Sequence, residues 1–406
     1  MATVVIIGTL DTKGTEFALA QRLIEEAGCR TLLIDTGIGE PAGPAADIPA
    51  DTVASAAGTS LKALRQSNDR GLAMEAMARG VASLARKLFA ERRLDAIFSL
   101  GGSGGSSIAT AAMRSLPIGI PKLMVSTIAA GNVAPYVGTS DIMMHYPVVD
   151  FAGLNVVTER IIANAAAAIA AMAKTAVGPV QPKKPVVAIT MFGVTTPAAM
   201  VAREVMEGHG YEVLVFHANG AGGRAMESLM RDGIIHGVLD LTTTELADEI
   251  AGGTLSAGPE RLDMAGALGL PQVVSLGALD TINFGPMDTV PEKFRGRTVY
   301  RHNPNVTLMR TTPEECSKLG ALIAEKLNRA KGPVVVFVPA KGVSAISKPG
   351  DVFFDATADL ALISALRNTL RPSIACCVEE TDINNPNFAR AMAERLHALM
   401  QKGNNT

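Results

Sequence analysis

Short apolar runs alternate along the chain with longer stretches of helical period. Thr3-Val4-Val5-Ile6-Ile7 is followed by an amphipathic segment, and the same alternation recurs to the end. Apolar runs this short, each trailed by a helical stretch, are the signature of βα units that build a mostly parallel sheet. In the first half the pattern predicts strands near 3–8, 30–35, 95–100, 121–126 and 142–149, with helices near 14–27, 70–92, 104–114 and 153–175. The stretch 37–68 is rich in Pro, Gly and Ala and reads as a long loop with one short helix near 59–66. In the second half strands are expected near 186–189, 211–216, 236–240, 272–276, 298–301, 306–309, 333–338 and 373–378. Its helices fall near 222–231, 243–250, 259–268, 312–330, 356–370 and 385–401.

Between the halves, Val177-Gly-Pro-Val-Gln-Pro-Lys-Lys-Pro185 has three prolines in nine positions, the make-up of a semi-rigid connector. The expected organisation is a first lobe over 1–178, a linker over 179–184 and a second lobe over 185–406. Val186 to Ile189, Thr195-Thr196-Pro197 and Tyr211 to Phe216 repeat the opening plan. The fold class is therefore α/β: two Rossmann-like, doubly wound lobes with mostly parallel sheets, facing one another across a cleft.

Composition narrows the function. Of 406 residues, 37 are Lys or Arg and 39 Asp or Glu, so the net charge of -2 gives no field for nucleic acid or an anionic membrane. Aromatics are 4% and Trp is absent, which argues against the stacking platforms used for single-stranded nucleic acid or sugar rings. The most apolar helical stretch, Ala165 to Ala173, is mostly alanine and too short to span a bilayer. Cys29, Cys316, Cys376 and Cys377 lack zinc or disulfide spacing. With no signal-peptide pattern ahead of the first strand, the expected compartment is the reducing cytoplasm.

Candidate chemistry lies in the loops after strands. Gly101-Gly102-Ser103-Gly104-Gly105-Ser106-Ser107 joins the third strand to a helix. Glycines let backbone amides approach an anion, and the helix N-terminus adds positive partial charge. No Lys follows, so this is not a Walker A loop, and Ser107 stands where a dinucleotide fingerprint needs its third Gly. A second loop, Asp11-Thr12-Lys13-Gly14, follows the first strand and offers a cation and a carboxylate; it is expected to share a pocket with 101–107. Asp35 ends the second strand where a carboxylate often meets ribose, and Thr127, Gly131 and Asn132 follow the fourth. Asp141 and Asp150 bracket the fifth strand, where either could help hold Mg²⁺. In the second lobe, His217, Asn219, Thr242, Thr243, Asp280, Asn283 and Lys341 are candidate contacts to a small polar or anionic metabolite. His302, Asn303, Asn305 and Arg310 crowd the same polar region as Asp280. No Ser-His-Asp order or metal signature appears, so no catalytic residue is named.

Gly8-Thr-Leu-Asp-Thr-Lys-Gly14, the glycine loop at 101–106, the segment Ser126 to Asn132 and Asp280-Thr-Ile-Asn-Phe-Gly285 together resemble the Tm-one-like ATP-binding domain family across essentially the whole chain. The resemblance implies two Rossmann-like lobes, ATP held mainly by the first, and self-association as a homo-oligomer. It carries the nucleotide role onto residues 11–14 and 101–107, and onto Asp35 and 127–132. The antiviral role of the plant member does not follow, because it depends on a partner surface these motifs do not specify. Another class of function stays beside it: an enzyme on a phosphorylated or carboxylated metabolite, such as a carbon–carbon hydrolase or sugar-acid enzyme, using the glycine loop for substrate. A non-catalytic sensor is a third.

Overall fold

A strand inside a parallel sheet is covered on both faces, so its sequence is a near-continuous apolar run. β1 (Thr3–Gly8) follows that rule with all six residues buried. In a computed structural model describing residues 1–175, 178 and 180–403, the chain divides into two units, Met1–Val180 and Gln181–Thr406. Part of the expected connector, at 177 and 179, lies outside the described residues.

The first unit holds β1, β2 (Arg30–Asp35), β3 (Ala96–Gly101), β4 (Lys122–Ser126) and β5 (Met143–His145), all parallel, in the order β2-β1-β3-β4-β5. The chain reverses direction across the sheet between β1 and β3, so the loops leaving these two strands diverge and open a crevice at their carboxyl ends. α1 (Leu10–Glu26) follows β1. α2 (Ala50–Ala56), α3 (Leu61–Ser67) and α4 (Arg70–Ala90) lie between β2 and β3. α5 (Ser103–Arg114) follows β3, α6 (Ala134–Val137) follows β4, and α7 (Val156–Thr175) follows β5. Alternate β1 side chains serve opposite cores: Val5 and Ile7 pack with α4 and α5, Val4 and Ile6 with α1 and α7.

Two expectations are corrected here. The segment 37–68 carries two helices rather than one, and a side chain at Gly80 would place its Cβ 2.0 Å from the Val53 carbonyl oxygen, so α2 crosses α4 at a glycine. The fifth strand runs only over Met143–His145, because Pro147 has no amide for the ladder and Val148 turns the chain at φ 69°. α7 is long and apolar enough to cross a membrane by length and composition alone. Ile162, Ala165, Ala166, Ile169, Ala170 and Ala173 nevertheless pack in the core of the unit.

The second unit has β6 (Val186–Met191), β7 (Glu212–His217), β8 (Gly237–Thr242) and β9 (Gln272–Gly277). β10 (Thr281–Phe284), β11 (Val299–Asn303) and β12 (Val306–Arg310) come next, then β13 (Val334–Pro339) and β14 (Ala375–Glu379). Six of these form a parallel sheet in the order β14-β13-β9-β8-β6-β7. β10, β12 and β11 make a separate antiparallel sheet. β10 was not expected, since Thr281-Ile-Asn-Phe284 reads as a polar loop until its pairing with β12 is known. The fold is two largely parallel α/β lobes of Rossmann-like type.

Candidate functional site

The crevice at β1 and β3 is a cavity of about 590 Å³, within the range of small-molecule sites. Its base is the start of α5. Gly102 stands at the cap position, where it has no side chain to accept a helix amide. Ser106 N–H bonds back to the Gly102 carbonyl at 3.0 Å as the first helical bond. Among the described residues no group accepts from the amides of Ser103, Gly104 or Gly105, which lie beside the cavity. Orphan donors of a helix start, with the positive end of its dipole, favour an anion.

One wall comes from α3 and α4. Asn68 takes a left-handed conformation (φ 49°) that ends α3, and Asp69 accepts the Leu72 amide at 3.0 Å to start α4. These caps set Arg70 at the head of α4, with its guanidinium 3.6 Å from where a Cβ on Gly104 would stand. Arg70 has no hydrogen-bond or ionic partner among the described residues. Arg65 is already engaged, donating to the Ile38 and Gly39 carbonyls and pairing with Glu40 at 2.9 Å. Further along, Leu64, Met74, Met77 and Ile108 give the cavity an apolar face.

From the β1 loop, Asp11, Thr12 and Lys13 reach the same cavity. Asp11 Oδ2 accepts the Gly39 amide at 2.8 Å, whereas its Oδ1 is buried with no partner, an expensive state for a carboxylate oxygen. Lys13 Nζ donates to the Phe151 carbonyl at 2.6 Å, so its charge is partly engaged. Asp150 also lines the cavity, though its Oδ1 accepts the Phe151 amide at 2.8 Å.

Several expected contacts belong to the framework instead. Gly14 is buried against the chain at Gly43, where an added Cβ would stand 2.5 Å from the Gly43 Cα. Asp35 is buried and accepts the amides of Leu10 at 3.1 Å and Gly37 at 2.8 Å, tying two loops together. Burial raises its carboxyl above the ordinary range against the pull of those amides. Ser106 is buried, its hydroxyl bonded to the Gly102 carbonyl and to Ser126 Oγ at 2.6 Å. Ser107, Thr127, Gly131 and Asn132 do not line the cavity, and Asn132 accepts the Ala134 amide at 3.1 Å. Gly101 stands behind the loop as the last residue of β3. Asp141 is paired with buried Lys122 at 2.6 Å, which removes it from metal binding.

In the second unit the polar candidates scatter. Thr242 and Thr243 are fully buried, their hydroxyls bonded to Thr195 Oγ1 at 2.8 Å and the Ser275 carbonyl at 3.1 Å. Asp280 is buried beside Ser344 (2.7 Å) and close to Arg310, and burial pushes its carboxyl up to about 6. Asn283 holds the buried Asp248 carboxylate at 2.6 Å. Lys341 is exposed and pairs with Glu380 at 2.8 Å. His217 and Asn219, with His302 and Asn303, line a smaller cavity of about 290 Å³. Sequence reasoning missed Arg70 and the methionines of α4, which no motif marks; the only available signal was the helix start at Asn68-Asp69-Arg70.

Fold and site define a two-lobed α/β protein with an uncapped helix start at the switch point of its first sheet. The chain belongs to uncharacterised protein family UPF0261: the family's N-terminal domain matches residues 2–178 and its C-terminal domain residues 184–400. A UPF0261 protein of Clostridium tetani is 50% identical over 98% of this chain and 99% of its own length. The ToMV resistance protein Tm-1 of Solanum lycopersicum is 43% identical over 82% of this chain, which spans 45% of that longer protein. Among solved structures, a UDP-N-acetylglucosamine 2-epimerase from Rickettsia bellii aligns over 100% of this chain and 99% of its own. Its 10% identity and TM-score of 0.23 are too low to speak to fold or function.

Proposed function

We propose that the first lobe binds a nucleotide, ATP, with its phosphates on the amides of Ser103, Gly104 and Gly105. The observation that carries this reading is the uncapped start of α5 with the unpaired Arg70 guanidinium beside it. Charge-assisted bonds from Arg and oriented amides are the strong contacts to phosphate. The rest of the cavity supplies what the other parts of a nucleotide need. Met74, Met77, Leu64 and Ile108 offer an apolar, adaptable face to a base. Asp11 lines the cavity and brings a carboxylate to a ribose hydroxyl or a phosphate-bound Mg²⁺. The apolar wall favours a nucleotide over a bare phosphorylated or carboxylated metabolite, which would use the amides and leave that wall bare.

The same proposal places the protein in the cytoplasm, supported by four free thiols, and includes self-association. Met143 on the edge strand β5, and Tyr146 and Val148 just after it, are exposed and suit a contact between copies. Calorimetry with ATP, with and without Mg²⁺, tests the binding. Saturable heat is expected, and it should be strongly weakened by Arg70→Glu. Absence of heat from the intact protein, with inorganic phosphate or a phosphorylated sugar binding tightly instead, rejects the nucleotide and favours the metabolite enzyme.

A further inference from the structure

The smaller cavity of the second lobe lies at the carboxyl ends of β6 and β7, beneath the hairpin of β11 and β12, and encloses about 290 Å³. Its floor is apolar: Phe192, Val194 and Leu308 are all buried. Its polar lining is two histidines and two asparagines, with no Asp, Glu, Lys or Arg.

The hydrogen bonds already made inside the lobe decide what these four groups have left. Asn219 Oδ1 accepts the Gly222 amide at 3.0 Å, and Asn303 Oδ1 accepts the Asn305 amide at 2.8 Å. Each oxygen is thus partly engaged, while both NH₂ groups are left for a ligand. His217 Nδ1 lies 3.3 Å from the Met191 carbonyl, which can only accept, so Nδ1 donates and Nε2 of the neutral ring is an acceptor that meets an acid through the acid's proton. The His217 ring also leans on Phe192, at 5.2 Å between centroids. His302 has no hydrogen-bond partner among the described residues and is exposed at the end of β11. Its Cε1 lies 4.0 Å from where a Cβ on Gly193 would stand.

Two amide NH₂ groups and two imidazoles above a greasy floor, with no carboxylate among them, match the polar head of a small acid on a short apolar body. We propose that this cavity binds a small monocarboxylate, its carboxylate between His217 and His302 and its apolar part on Phe192 and Leu308. The volume suits a ligand of benzoate or butyrate size, not a nucleotide.

Benzoate, butyrate and the neutral benzamide are titrated against the full chain, read by calorimetry and by the imidazole resonances of the six histidines. Benzoate or butyrate should bind saturably and move the His217 and His302 signals, and benzamide should bind about tenfold more weakly than benzoate or not at all. His302→Gln, at an exposed site, should weaken the bound acid about fivefold without moving the unfolding midpoint. Failure of both acids to bind overturns the proposal. So does benzamide binding as well as benzoate, or an affinity untouched by His302→Gln. The cavity lies wholly in the second unit and the titration uses no nucleotide, so its failure leaves the ATP reading standing.

Discussion

The two lobes each place a glycine-rich turn between a parallel strand and a helix, and they treat it in opposite ways. In the second lobe, Gly220 to Gly223 open the helix Ala221–Arg231, and Glu245 Oε1 accepts the amides of Gly220 at 2.7 Å and Gly223 at 3.1 Å. The carboxylate sits so close that a Cβ on Gly223 would fall 2.4 Å from Glu245 Oε2. Glu245 is held in turn by fully buried Arg261 at 2.6 Å, which also makes a two-point bond to Asp240 at 2.6 and 2.7 Å. That lobe supplies its own anion. In the first lobe no carboxylate among the described residues accepts from the amides of Gly102 to Gly105, and the cation Arg70 stands beside Gly104. The difference shows, within one chain, that such a helix start accepts a carboxylate, and that among the described residues the first lobe puts none at the corresponding position.

The largest effect is expected from removing the internal anion. Glu245→Ala leaves two buried amides unbonded and Arg261 short of a partner, and breaking a buried pair costs about 3–5 kcal/mol. Urea unfolding should show a loss of that size; a loss under about 1 kcal/mol would mean that the carboxylate is not what closes this helix start. The complementary change is Gly104→Asp. The glycine's surroundings at 3.6 Å admit a side chain. A carboxylate there should pair with Arg70 and weaken ATP by about 100-fold, while stability holds or rises by about 0.3–1 kcal/mol as an acidic side chain enters the first turn of α5. Arg70→Ala should cost about tenfold in ATP affinity by calorimetry with no change in unfolding midpoint.

The gentlest perturbation is pH. Arg261 binds Asp240 and Glu245 at 2.6 Å, but Glu227 lies at 3.8 Å. Burial outweighs that more distant cation and raises the Glu227 carboxyl from 4.5 to about 7. Burial likewise lifts Asp248 to about 7 against its bonds from Asn283. The folded lobe then holds protons the unfolded chain has released, so this stability is complete below about pH 4.5 and is lost as pH rises towards about 7. The urea midpoint of Glu227→Gln should fall less over that interval than the wild-type midpoint. An equal fall in both proteins would place the proton elsewhere.

How much could be read from residues alone follows the same division. Apolar runs such as Val4 to Ile7 and Val334 to Val338 mark strands because parallel sheets bury both faces, and the glycine turn at 101–105 marks itself through local backbone chemistry. What tertiary packing decides was not legible. Ser106 and Asp35 carry the right groups at the right places in sequence, yet their oxygens face their own framework. Thr242, Asp280 and Asn283 look like site residues because they are polar and near strand ends, and are instead buried in the interior, where Thr242 Oγ1, Asp280 Oδ2 and the Asn283 NH₂ are bonded. Arg70 was invisible because α4 enters the crevice from a segment with no motif, and only the fold brings it to Gly104.

Glycine-selective ¹⁵N labelling resolves the central claim at the atoms concerned. Titration with ATP should move the amide signals of Gly104 and Gly105 downfield together, saturably, and leave Gly220 and Gly223 unmoved because Glu245 already holds them. Saturation by ATP with the Gly104 and Gly105 signals unchanged would contradict the account.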